Sequence, residues 1–385
     1  MSLAHNLSQK ITALGCAILV LAGAAFVYRN ELKRLFHRET AGQLHSITFR
    51  KNADGSTSPE DTLAEIAYWR ARIHTIGSGA AHTEFVTSAN SFAVSTEERS
   101  QGTQILHHAA HTFGEALYQE VGLAGAAVCG QEFGAGCLHS FFGLAIQEFG
   151  IGEGVKKLDM ACTAETDALS REFCRHGIGH GILAYLGYSV EDLVHALRAC
   201  HTVDTTEDDF RMGCGGGVFM EYNIRFLLRT DGTPQRELTE KNMYQPCDSV
   251  SPEYQYTCMF WQPTWWFGPS QPEDLLKSAR RISAYCQAFP AAASVTRSCF
   301  EGIGYVLPQK TSDSALIAQS CAISDDLQNR YSCWRYALSR APSNLQLSRS
   351  SALVCAGFSG AAHDSCRKKM SEALLNSPTA TLSPQ

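Results

Sequence analysis

Histidines at helical spacing are the side chains of this chain best placed to do chemistry. His107, His111 and Glu115 follow one another at intervals of four residues, which sets them in one stripe along one face of a helix. His176 and His180 form a second i, i+4 pair, and His139 falls between the two sets. Two histidines one turn apart can grip a metal ion from a single helix face. Nitrogen and carboxylate donors together suit a transition metal: Zn, Fe or Cu. In an enzyme the ion would act as Lewis acid or redox centre, with Glu115 or Glu221 as base. The alternative is that these histidines pack at helix starts and bond to loop carbonyls. No H-E-x-x-H, G-x-S-x-G, P-loop or dinucleotide fingerprint accompanies them, so none of those chemistries is expected.

The elements that must position these residues can be read from their glycine ends. "HTFGEALYQEVG" runs from His111 to Gly122, "HSFFGLAIQEFG" from His139 to Gly150, and "HGIGHGILAYLG" from His176 to Gly187. In each the histidine stands eleven residues before the glycine, so three successive helices carry a histidine at an equivalent position. The same register continues as Gly216, Phe260, Glu301, Arg335 and Lys368. Only the N-terminal half carries imidazoles. If the helices stack side by side, His107, His111, His139, His176 and His180 converge on one face, with Glu115 beside them.

Cysteine marks the repeat to which these helices belong. Of 15 cysteines, Cys16 stands apart and the others form seven consecutive pairs. These are Cys129/Cys137, Cys162/Cys174, Cys200/Cys214, Cys247/Cys258, Cys286/Cys299, Cys321/Cys333 and Cys355/Cys366. Second members recur every 33 to 44 residues, the period of a solenoid built from helix pairs. A helix-period segment such as "SVEDLVHALRAC" precedes the first cysteine, a polar linker follows it, and an apolar segment such as "CRHGIGHGILAYLG" begins at the second. Each unit reads as helix, turn, helix, with the second cysteine near the start of the second helix. A disulfide would clip the hairpin shut for about 2–4 kcal/mol. In cysteine spacing and helix-pair period, residues 129 to 366 resemble the disulfide-stapled αα-hairpin repeats of the Sel1-like type. The expected fold is an all-α solenoid of about seven to eight such hairpins.

Paired cysteines without a C-x-x-C motif argue for an oxidising compartment and against zinc ribbons or haem attachment. The run from Ile11 to Tyr28, "ITALGCAILVLAGAAFVY", carries no charge and just reaches the ~17–25 residues that span a bilayer. We read it as an uncleaved single-pass anchor rather than a cleaved signal peptide. Arg29, Lys33, Arg34 and Arg38 follow the run and by themselves would keep the body cytoplasmic. Seven-fold cysteine pairing outweighs them, so the body is expected outside the cytoplasm, periplasmic or extracellular. The resulting division is a membrane anchor with its flanks at 1–38, a stalk and first helices at 39–100, the stapled repeats at 101–375, and a disordered tail at 376–385.

A formal charge of −6 and the absence of a Lys/Arg cluster leave no electrostatic footprint for nucleic acid. The membrane is the partner expected through the N-terminal helix. A protein bound on the solenoid surface is the alternative function, that of an envelope scaffold with purely structural histidines. Three further stretches read as structure. Gly177, Gly179 and Gly181 recur in kind at Gly215, Gly216, Gly217, Gly302 and Gly304, where no histidine needs room, so they serve helix packing. "CMFWQPTWWFGP" reads as a proline-interrupted helix filled with core aromatics, and "TVDTTEDDF" as a solvated loop between cysteines.

Overall fold

A computed structural model describes residues 59–95, 99–130, 132–164, 168–203, 213–225, 238–268, 274–340 and 350–375. The chain divides into two compact units, 1–68 and 69–385, and the repeats lie in the second. Among the described residues there is no strand, and no helix is long and apolar enough to cross a membrane. The run 11–28, the stalk at 39–57, most of the acidic loop and the tail at 376–385 lie outside the described residues.

Helices α1 (Pro59–Ile76), α2 (Ser78–Ser95) and α3 (Arg99–Val121) precede the first cysteine pair. Then come a 3-10 stretch (Gly122–Val128), α4 (Glu132–Thr163), α5 (Ala168–Leu186), α6 (Val190–Cys200) and α7 (Cys214–Arg225). The C-terminal half holds α8 (Pro252–Phe267), α9 (Leu275–Ala288), α10 (Ala293–Lys310), α11 (Ser314–Cys321), α12 (Leu327–Arg340), α13 (Ser351–Val354) and α14 (Gly360–Leu375).

The three glycines that close the histidine helices all adopt positive φ: Gly122 at 57°, Gly150 at 72° and Gly187 at 122°. Only glycine enters this region without steric cost. Gly150 thereby turns α4 in mid-course into limbs 132–149 and 151–163. The first limb belongs to one hairpin and the second to the next.

All seven cysteine pairs are disulfides within their own hairpins. Cys129 bonds to Cys137, Cys162 to Cys174, Cys200 to Cys214 and Cys247 to Cys258. Cys286 bonds to Cys299, Cys321 to Cys333 and Cys355 to Cys366. Their Cα–Cα separations run from 5.3 to 5.8 Å, within the normal range for a disulfide, and the fourteen cysteines are buried. With their sulfurs bonded to each other, none of them is a metal ligand; their role is to staple the hairpins.

One expectation about these cysteines needs correction. The polar linker expected between the cysteines is largely helix, because most second helices begin before the second cysteine. Cys174, Cys258, Cys299, Cys333 and Cys366 each stand seventh in their helices, and Cys137 sixth; Cys214 alone opens one. The polar residues before them, read from sequence as linker, are nearly two turns of helix. Polar residues sustain a helix wherever one side of it meets solvent, and residues 360–365 are all exposed or half-buried. The staple therefore grips each of these helices partway along and shortens the connecting turn.

Second helices pack on one another in chain order: α3 on α4, α4 on α5, α5 on α7, α7 on α8, α8 on α10, α10 on α12 and α12 on α14. In the C-terminal half the first helices follow suit, α9 on α11 and α11 on α13.

The expectation of a full helix before every first cysteine holds in the second limb of α4 and in α6, α9 and α11, and fails in three places. Gly122–Val128 winds as a 3-10 helix, residues 240–249 form successive turns, and α13 is a single turn. Small residues in "GLAGAAV" and Pro246 just before Cys247 account for the first two, since proline cannot donate within a helix. Where a full helix forms, its ends are well made. Ser189 and Asp192 close α6 with a reciprocal capping box, of the kind that satisfies two otherwise orphaned N–H groups.

Packing between second helices is close because glycines meet carbonyls. A Cβ on Gly179 of α5 would stand 2.0 Å from the Cys214 carbonyl oxygen, and one on Gly217 of α7 would stand 1.9 Å from that of His176. The two helices therefore approach backbone to backbone. Gly302 and Gly304 repeat the arrangement against Phe260 and Cys333, where the register carries no histidine. Glycine here serves the stacking of hairpins, at about 1 kcal/mol of helix propensity each. Phe260, Trp261, Trp265, Trp266 and Phe267 of α8 are all buried, so the aromatic stretch is core.

Candidate metal centre

On α3, His107 and His111 lie one turn apart and face each other, Nε2 to Nε2, at 3.1 Å. His139 reaches them from the first limb of α4, with ring centroids 5.1 Å from His107 and 5.3 Å from His111. One nitrogen from each ring falls within 4.8 Å of the other two. Nitrogens that share a tetrahedral ion at 2.0–2.1 Å stand roughly 3.3 Å apart. The α3 pair already has that spacing, and His139 brings a third nitrogen to the group.

Close approach of α3 and α4 makes this convergence possible. Gly114 lies so near α4 that a Cβ would stand 2.1 Å from the Cys137 carbonyl oxygen. Ser140 donates its hydroxyl to the His111 carbonyl at 2.5 Å. His107 is held from behind, its Nδ1–H donating to the carbonyl of Phe133 at 2.7 Å. That bond fixes the tautomer and leaves the Nε2 lone pair pointing at His111, as metal-ligating histidines are commonly oriented. Phe133 supplies the carbonyl from a left-handed backbone conformation, φ 54°. Such a conformation is uncommon for a bulky residue and recurs at functional sites.

Burial is the main reason that His107 is held below the ordinary histidine range, and His111 and His139 well below it; repulsion among the rings adds to the effect. For His107 the bond to Phe133 partly opposes the shift. Neutral imidazole is the form that binds metal. The fold thus keeps the trio in its ligand state at neutral pH.

His176 and His180 adjoin the trio on α5. Both are buried, with ring centroids 4.9 Å apart. His180 stacks on His139 with centroids 3.7 Å apart and planes within 16° of parallel. Its Nδ1–H donates to Glu221 Oε2 of α7 at 2.7 Å, and the Tyr188 hydroxyl donates to Glu221 Oε1, also at 2.7 Å. Glu221 therefore orients an imidazole with both oxygens engaged. His176 Nε2 lies 3.2 Å from Met220 Sδ of α7, and Trp261 of α8 covers its ring at a centroid distance of 5.5 Å.

Glu115 continues the α3 stripe and accepts from Gln119 Nε2 at 3.0 Å; partial burial raises its carboxyl above the usual range. It is not among the three residues of the convergent group. Beyond the histidines the register turns into an ion pair. Buried Glu301 accepts from Arg335 at 3.3 Å and from the Tyr256 hydroxyl at 2.6 Å.

Spacing alone pointed to the five histidines and to Glu221, but not to the Phe133 carbonyl, Tyr188, Met220 or Trp261 as their neighbours. Met220 had a legible signal. In α7 the register position is Gly216, and Met220 occupies the next-turn slot that His180 fills in α5.

No protein-family model matches this chain, and comparison with curated proteins and with solved structures gives no match.

Proposed function

We propose that this protein binds a transition metal ion, Zn, Fe or Cu, through His107, His111 and His139, in an α-helical solenoid held by disulfides. The observation that carries the proposal is the 3.1 Å approach of two Nε2 atoms, one of them on a ring whose Nδ1 proton is already given to Phe133. Three neutral nitrogens from two helices leave a coordination position open, the arrangement that separates working metal sites from closed structural ones. Seven disulfides favour an extracytoplasmic body, and the run Ile11–Tyr28 favours a single membrane anchor. In this proposal Glu221 positions His180 rather than acting as a base, because His180 and Tyr188 already engage its two oxygens.

An envelope scaffold with structural histidines is the second reading. It is favoured by the same 3.1 Å contact, which an N–H···N hydrogen bond between His111 and His107 also satisfies. Elemental analysis of the full chain purified from its native membrane separates the two. The metal proposal expects close to one ion per chain at the trio, lost in His111→Ala with the helical circular dichroism intact. A metal-free protein that takes up no Zn, Fe or Cu on titration establishes the scaffold instead.

A further inference from the structure

The stack of His139 and His180 divides the histidines into two groups. An imidazole holds a metal through an in-plane lone pair, so the ion lies in the ring plane. Two rings stacked nearly parallel at 3.7 Å have planes that do not meet at bonding distance. An ion held by His139 is therefore not held by His180. Yet the Nε2 atoms of both rings are buried and have no hydrogen-bond partner among the described residues. Leaving such a buried group unpaired is costly. His180 has committed its Nδ1 proton to Glu221, so its Nε2 is a lone pair in need of an acceptor of electrons.

A second imidazole adjoins His180, and a soft thioether adjoins that imidazole. His176 shares its face of α5 at i, i−4, with rings 4.9 Å apart and tilted by 57°, close to the 4.7 Å and 69° of the His107/His111 pair. Met220 Sδ approaches His176 Nε2 to 3.2 Å. Nitrogen and sulfur donors to one ion, at about 2.0 and 2.3 Å, are separated by roughly 3.2–3.5 Å. The pair is therefore spaced as neighbouring ligands. Trp261 also packs against the His176 ring, with centroids 5.5 Å apart.

We propose that His176, His180 and Met220 form a second metal site beside the trio, specific for Cu(I). Thioether sulfur selects monovalent copper over harder ions, imidazole is compatible with copper, and the carboxylate of Glu221 orients the His180 ligand from behind. The chain then carries two adjoining ions, one on each side of the His139/His180 stack. This site stands or falls apart from the one at His107, His111 and His139.

The test titrates the full-length purified chain anaerobically with Cu(I) supplied as its acetonitrile complex, with copper counted after desalting. Wild type should retain two copper ions, and its X-ray absorption should include one Cu–S contribution. Met220→Leu, which keeps volume and apolarity, should retain one ion and lose the sulfur contribution. His111→Ala should also retain one ion but keep the sulfur. If Met220→Leu keeps both ions, or wild type shows no Cu–S contribution, the second site is overturned. Copper lost in Met220→Leu but not in His111→Ala supports the second site and removes the trio. Loss in His111→Ala alone does the reverse. A wild-type chain that retains no copper overturns the second site outright.

Discussion

The Nδ1–H of His107 donates to the carbonyl of Phe133 across the contact between α3 and α4, at 2.7 Å. A side chain in the first histidine helix is thereby tied to the backbone of the next hairpin. His108, one residue along, is exposed instead. We expect His107→Ala to abolish metal retention at the trio and His108→Ala to leave it unchanged, as measured by elemental analysis after dialysis. Equal retention in both variants would mean that the ion lies elsewhere.

Helix stacking predicts opposite outcomes at two glycines. Ala at Gly179 would put its Cβ 2.0 Å from the Cys214 carbonyl oxygen, whereas Gly143 in α4 has nothing within 4 Å of that position. Gly179→Ala should destabilise by about 1–3 kcal/mol or more, since α5 and α7 must separate. Gly143→Ala should be neutral or stabilising by up to about 1 kcal/mol. Urea unfolding of the two variants checks this, and a Gly179→Ala protein as stable as wild type would refute the close packing.

Stability should fall in acid through the trio. His107, His111 and His139 are held below the ordinary value near 6.5, chiefly by burial. Below that value the unfolded chain takes up protons that the folded chain does not. Stability from this source is therefore whole above about pH 7 and lost as pH drops through 6.5. Each histidine contributes up to about 1.4 kcal/mol per pH unit, about 4 for three together. Metal-free protein unfolded in urea at pH 7.5 and 5.5 should show the decline, and His139→Phe should reduce its slope. Profiles of equal steepness would show that His139 does not contribute.

Redox state and topology are tested together. Unreduced protein should expose no thiol to an alkylating probe except Cys16, and reduction should lower its melting temperature sharply, at about 2–4 kcal/mol per staple. A reporter active only outside the cytoplasm, fused after Gln385, should be active. A reporter that works only inside would make the positive flank of Arg29, Lys33, Arg34 and Arg38 the better guide.

Much of this arrangement is legible in the sequence, because it rests on local rules. Cysteine pairing within a hairpin depends on short loops, and the helix ends at Gly122 and Gly187 and the turn at Gly150 depend on backbone sterics at one residue. Segments before Cys129 and Cys247 departed from the helical expectation where small residues or a proline weakened the helical periodicity, and the segment before Cys355 forms a single turn. Helix starts before Cys137, Cys174, Cys258, Cys299, Cys333 and Cys366 came earlier than expected, because polar composition by itself does not separate a loop from a solvent-facing first turn.

Sequence by itself determined which histidines share a register, since 3.6 residues per turn sets the faces of α3, α4 and α5. Only tertiary structure decided how those rings divide. Ring orientation depends on side-chain rotamers and on how closely neighbouring helices approach, and Gly114, Gly179 and Gly217 set that approach by admitting a carbonyl where a Cβ would collide. At that separation His139 meets His107 and His111 edge to face but lies flat against His180. Phe133, Tyr188 and Met220 join the histidines through contacts between residues 26 to 44 positions apart, beyond the reach of any helical period.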